Sequence, residues 1–159
     1  MARRIKYKLG DVFLVPLEND LYGVGRILRK DEATILVEMY RIKPIRDLSE
    51  YDYSEVTKEE PIMVNWMYDT AIKRGTWEII DNQPVPEHID MPYFWYRDWS
   101  DLKYYVEKGS EESYCTVGER VEISKKDIED CKYCGSGIAN ELYNHNVYIK
   151  RLKKFGYIE

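Results

Sequence analysis

Short apolar runs punctuated by turn residues fill most of the chain, and a helical period replaces them only after Ser124. Residues 11–17 are apolar on both faces, the pattern of a strand covered on both sides. Pro16 removes one donor and sets the strand's end at an edge or bulge. Residues 18–21 turn the chain. In the second strand, residues 22–29, Gly23 and Gly25 fall two apart on one side, which predicts tight packing of a bent strand rather than ligand contact. A turn at Lys30-Asp31-Glu32 leads into residues 33–40, where Ile35, Val37 and Met39 face one way and Thr34, Glu38 and Tyr40 the other. Three consecutive antiparallel strands make a meander.

Pro44 stops this pattern, and residues 45–61 are polar and acidic, with room for a short helix over 47–55. Residues 62–68 alternate again, with Ile62, Val64, Trp66 and Tyr68 on one face. A short strand at 76–80 follows Gly75, Asp81-Asn82 turns the chain, and Pro84, Pro86 and Pro92 keep 83–93 extended. Strand-like character returns at 93–99, 102–107 and 116–123. Ser124 then caps a helix from Lys125 to about Tyr133, with Asp127 as its capping-box acid. Gly135 closes that helix. Ser136 or Gly137 opens a longer one to about Lys154, with Ile138, Leu142, Ile149 and Leu152 on one face and Gly156 as its stop. The expected fold class is α+β: a curved, mostly antiparallel sheet or an SH3-like small barrel over residues 6–123, with C-terminal helices over 124–156. One domain of 159 residues is expected, able to bury roughly 70% of its unfolded surface.

Charge sharpens the reading. The net charge is −5, so a phosphate backbone is a poor partner and a basic protein a good one. No apolar run approaches the roughly 20 residues of a membrane span, and Lys6, Lys8 and Asp11 interrupt any signal core after the basic start, so a cytoplasmic protein without a membrane partner is expected. Fifteen tyrosines and four tryptophans suit strands and interfaces. The acidic segment concentrates both features. Asp47, Glu50, Asp52, Glu55, Glu59 and Glu60 are punctuated by Tyr51 and Tyr53. It is read either as a solvated loop or as a partner-binding surface in which Asp47, Glu50, Asp52, Glu55 and Glu59 steer a basic partner and Tyr51 and Tyr53 anchor it. Asp98, Asp101, Glu107, Glu111 and Glu112 are candidates to extend that surface.

Catalytic signals are weak. Cys131-Lys132-Tyr133-Cys134 is a lone CxxC, and a closed zinc site needs four ligands, for which only Cys115, His88 and His145 remain. Two free thiols are the expected state. Neither histidine lies near a nucleophile motif. Gly135-Ser136-Gly137 lacks the lysine of a phosphate loop and reads as helix punctuation. No catalytic residue, cofactor or metal is assigned. Two other readings stay open: a nucleic-acid-binding module using Arg3, Arg4, Lys6, Lys8 and the lysines of the last helix, or an enzyme using His145 or Cys134.

Gly10-Asp11-Val12-Phe13, Val15-Pro16-Leu17, and Tyr22 with Gly25-Arg26-Ile27-Leu28 together resemble the start of the immunity protein 26 (Imm26) family. A second block, Gly75, Trp77, Ile79, Ile80, Asn82, Pro84, Pro92 and Phe94, is similar to that family too, with Asp81 where the family commonly has glycine. The resemblance covers roughly residues 6–96 and leaves out the helical tail. It implies a β-rich bacterial protein of a polymorphic toxin system that binds and blocks its cognate toxin, and it neither identifies that toxin nor supplies catalytic residues. Tyr22 and Arg26 are the two residues of the opening hairpin expected to remain available for contacts.

Overall fold

The run that is apolar on both faces lies inside a sheet. In the computed structural model, which describes residues 3–159, β1 (Asp11–Pro16) sits between β2 (Tyr22–Asp31) and β5 (Ile79–Asn82). With β3 (Thr34–Met39) and β4 (Met63–Tyr68) they form an antiparallel sheet in the order β4-β3-β2-β1-β5. A second sheet holds β6 (Tyr93–Arg97), β7 (Tyr104–Gly109), β8 (Thr116–Ile123) and the two-residue β9 (Cys134–Gly135), in the order β8-β7-β6-β9. Only β9 runs parallel to its neighbour. The fold is therefore α+β and mostly antiparallel, and of the two expected architectures it is the open one: neither sheet closes into a barrel. Met1 and Ala2, the start of the basic N-terminal stretch, lie outside the described residues.

The helices are short: α1 (Tyr53–Val56), α2 (Thr70–Arg74), α3 (Lys125–Glu129) and α4 (Glu141–Lys154). Among the described residues no helix is long and apolar enough to cross a membrane. Ser124 caps α3 through a capping box with Asp127, as its spacing predicts. The last helix starts later than expected. Asn140 caps it by accepting from Tyr143 N at 2.7 Å, and Gly135 is spent in β9 rather than on closing α3. The buried face of α4 also differs, running through Asn144, Val147, Tyr148 and Leu152, while Leu142 is exposed. The buried asparagine disguises this stripe. Its carboxamide oxygen accepts from Asn65 Nδ2 at 2.8 Å, so that oxygen is paired at a core position, while Asn144 Nδ2 is buried without a partner among the described residues.

That contact also explains two misread strands. α4 packs on β4, and two apolar clusters cover the opposite faces of the first sheet. All of β3 is therefore buried, Thr34 and Glu38 included. On β4, Met63, Asn65 and Met67 are buried along with Trp66, whereas Tyr68 is exposed. Residues 81–82 are strand rather than turn: Asp11 pairs with Asn82 and Val12 with Asp81, and Asn82 Nδ2 donates to Asp11 Oδ1 at 2.9 Å. Lys30 and Asp31 likewise belong to β2, and the turn is at Glu32 and Ala33.

The main core runs across both sheets and α4 and includes Phe13, Ile27, Met39, Trp66, Phe94 and Tyr148. A smaller cluster, Val12, Leu14, Val24, Tyr40, Ile42, Ile45 and Val56, covers the other face of the first sheet. The glycines of β2 are packing sites, as expected. A Cβ on Gly25 would lie 2.6 Å from Phe13 Cζ, and one on Gly23 would lie 2.3 Å from Tyr148 Cε2. Tyr148 cannot retreat easily, because its hydroxyl donates to Tyr40 O at 2.8 Å and accepts from Val24 N at 3.3 Å. Gly23→Ala is expected to destabilise the fold by about 1–3 kcal/mol through overpacking, read as a lower urea midpoint.

Candidate acidic interface

The acidic segment is ordered by its own side chains. Asp47 caps a single 3₁₀ turn (Leu48–Glu50), accepting from Ser49 N at 2.9 Å, while Glu50 reaches back to Arg46 N and Asp47 N. Asp52 caps α1 by accepting from Ser54 N at 3.0 Å. These donors favour the ionised forms. Ser49 N–H holds Asp47 below the usual carboxylate range, Arg46 N–H does so for Glu50, and the Ser54 hydroxyl does so for Asp52. All six carboxylates of the segment are exposed.

Apolar and aromatic residues pin this segment to the first sheet. Ile45 pairs with Tyr22 through two backbone hydrogen bonds, and Ile45 and Val56 are buried in the smaller cluster. Tyr51 and Tyr53 are half-buried and turn their hydroxyls inward. Tyr51 donates to Asp81 Oδ2 at 2.8 Å, and Tyr53 accepts from Arg26 Nη1 at 2.6 Å. Burial and the neighbouring Asp81 carboxylate push the Tyr51 phenol well above its ordinary range, so it stays a donor.

Arg26 is the hub of this arrangement and not a surface contact. It is only 7% exposed, and Tyr22 packs half-buried against the smaller cluster. The Arg26 guanidinium gives Nε and Nη2 to Glu38 Oε1, at 2.9 and 2.6 Å, and Nη1 also donates to Pro84 O at 2.7 Å. Tyr40 OH donates to the same Glu38 oxygen at 2.6 Å. Burial and the adjacent carboxylate push the Tyr40 phenol far up. One ion pair therefore joins β2, β3, the acidic segment and the proline-rich connection. Sequence reasoning missed it because Arg26 and Glu38 lie on different strands. The available signal was a charge at a core-facing position in each strand.

The other expected acids behave differently. Asp98 and Asp101 share Arg120, whose Nη1 lies 2.5 Å from Asp98 Oδ2, and Asp101 also accepts from Tyr105 OH. Glu107 accepts from Tyr96 OH and Thr116 Oγ1, each at 2.7 Å. Glu111 accepts from Ile89 N at 3.0 Å and lies 3.7 Å from Arg29. Only Glu112 of that set is exposed without an ion pair among the described residues.

The chemistry-bearing residues elsewhere are dispersed. Cys115, Cys131 and Cys134 are free thiols, and burial pushes Cys134 up, which keeps it protonated rather than nucleophilic. His145 Nε2 lies 2.8 Å from Pro16 O. Among the described residues no group of three His, Cys, Asp or Glu could hold a metal. Arg151 of the basic tail is committed to the carbonyls of Cys131 and Ile62.

Truncating Arg26 leaves Glu38 buried without its cation. Arg26→Ala should cost about 3–5 kcal/mol by urea denaturation, whereas Arg26→Met with Glu38→Leu should cost far less, since an apolar pair replaces both charges.

No curated protein and no solved structure matches the chain. The family model for immunity protein 26 matches residues 8–106. That span contains both sequence blocks, the whole first sheet, the Arg26–Glu38 pair and the acidic segment. The chain belongs to the immunity protein 26 family.

Proposed function

We propose that this protein, an immunity protein of a toxin system by family, binds its cognate toxin through the acidic segment and occludes a basic active site, such as that of a nuclease. In this reading it acts without catalysis, in the cytoplasm of a bacterium that carries a polymorphic toxin or of its siblings. One domain carries the whole activity. The observation that supports it most is the contrast between acids. Asp47, Glu50, Asp52, Glu55, Glu59 and Glu60 are exposed on a segment that is itself fixed to the sheet, while the carboxylates of the second sheet are largely spent on internal partners.

Fixing the segment matters energetically. A loop that must be ordered on binding loses part of its interaction energy to that ordering, and this segment is ordered beforehand by its caps and by Tyr51 and Tyr53. The two tyrosines set its position, and their half-buried rings adjoin the contact surface that the carboxylates present. Charge complementarity then acts mainly on the association rate.

Two outcomes are expected. Glu55→Lys with Glu59→Lys changes exposed, non-capping carboxylates, so folding should be unaffected. Association with the neighbouring gene's toxin should slow at least about tenfold at low salt and converge with the wild type at high salt, by biolayer interferometry. Unchanged association would remove the charge argument. The pH dependence follows from the depressed carboxylates. Asp47, Glu50 and Asp52 contribute fully above their unfolded pKa and lose that contribution only as pH falls through their lower folded values. Protection of amides in residues 46–57 should therefore persist down to roughly pH 4 and fall below it, as followed by hydrogen exchange.

A further inference from the structure

The longest open strand edge belongs to β8. The first sheet ends in β4 and β5. Ala139 covers part of β4, accepting from Tyr68 N at 3.0 Å and donating to Trp66 O at 2.9 Å, and β5 has only four residues. In the second sheet β9 has two residues, whereas β8 has eight and pairs on one side only, with β7. Every second residue of such a strand turns its N–H and C=O away from its neighbour. Apart from the β7 ladder, no group among the described residues bonds the main chain of residues 116–123.

Native proteins blunt an open edge with bulges and charge, and β8 has both. Its bulge falls between the pairings of Val106 with Val121 and Lys108 with Val117, and it holds Gly118 at φ +92°. Further pairing is thereby confined to the half after the bulge, which runs to the α3 cap at Ser124. The charge in that half is patterned. In Arg120-Val121-Glu122 a base and an acid flank a valine symmetrically. Two copies of a strand paired antiparallel about a two-fold axis oppose residues of the same face, so the axis passes through a single residue. An axis at Arg120 or Glu122 would set a charge against its own copy, which is destabilising. An axis at Val121 sets valine against valine and each Arg120 against Glu122 of the partner subunit.

The three side chains are placed for this. Val121 is 55% exposed, and the Glu122 and Arg120 side chains are 57% and 44% exposed. Asp98 and Asp101 hold the Arg120 guanidinium 3.9 Å from the centre of the Tyr105 ring, and Glu122 lies 3.8 Å from Lys103 Nζ. Little side-chain ordering then remains to be lost on pairing. Exposed Tyr93, Trp99, Leu102, Tyr114 and Val117 add apolar surface to the same sheet and its connections.

We propose that two copies of this chain pair antiparallel through β8 about a two-fold axis at Val121, joining their second sheets edge to edge. The ladder is short, so the dimer is weak and concentration-dependent. It uses the second sheet and leaves the acidic segment, packed on the first, outside the ladder.

Sedimentation equilibrium of the intact chain should show a monomer–dimer equilibrium, and β8 amides should gain hydrogen-exchange protection between about 1 μM and about 1 mM protein. Val121→Lys and Val121→Glu change a side chain that is exposed in the monomer, so each should keep the wild-type urea midpoint. Each should also weaken dimerisation about tenfold, by opposing like charges at the axis. Glu122→Arg, which sets arginine against Arg120, should weaken it as well. An equal mixture of Val121→Lys and Val121→Glu pairs opposite charges at the axis and should restore association. A chain that stays monomeric up to about 1 mM, a dimer indifferent to these substitutions, or a mixture no stronger than its components would each overturn the proposal.

Discussion

The buried pair of Arg26 and Glu38 is the interaction on which the rest of the surface depends. It stands in the middle of the first sheet, where β2 and β3 face each other, and it uses every nitrogen of the guanidinium. Burying two charges gains little net stability, because desolvation offsets their attraction. What this pair supplies is position. Through Tyr53 it fixes the acidic segment, and through Pro84 it fixes the proline-rich connection. Lysine at position 26 would offer a point charge without the fork that reaches three partners.

The distribution of carboxylates follows from the same division. On the second sheet, Asp98, Asp101 and Glu107 hold Arg120, Tyr105, Tyr96 and Thr116, and so serve the structure of a small, exposed sheet with limited apolar cover. On the acidic segment Asp47, Glu50 and Asp52 bond local backbone and hydroxyl donors at turn starts, an arrangement that satisfies the caps, and Glu55 lies 3.9 Å from the Lys58 ammonium at the exposed surface. Net charge alone does not distinguish these two groups of acids. Their partners do: one group holds side chains of the second sheet, the other mostly donors close to it along the chain.

Much of this fold was legible in the sequence, and the failures share a cause. The meander of β1 to β3 and the α3 capping box were readable because each depends on neighbours close along the chain, and Gly23 and Gly25 were readable as packing sites because glycine inside a strand marks a close approach whatever the partner, here Tyr148 and Phe13. The buried faces of β4 and α4 were not, because a cross-chain hydrogen bond between Asn65 and Asn144 places polar residues where an alternation rule expects apolar ones. Asp81 and Asn82 looked like a turn by composition, yet β1 recruits them as a strand partner. At the site, the exposed acids could be picked from composition. Arg26 looked like an available contact because its burial depends on Glu38, Tyr53 and Pro84, which approach from three separate segments.

The central claim is that the toxin lands on the surface organised by the Arg26–Glu38 pair. Hydrogen–deuterium exchange on the chain alone and in complex with the neighbouring gene's toxin tests it most directly. The account predicts that new protection concentrates in residues 46–61 and leaves β8 unchanged. Protection confined to β8 and the outer strands of the second sheet, with residues 46–61 exchanging as in the free protein, would contradict it.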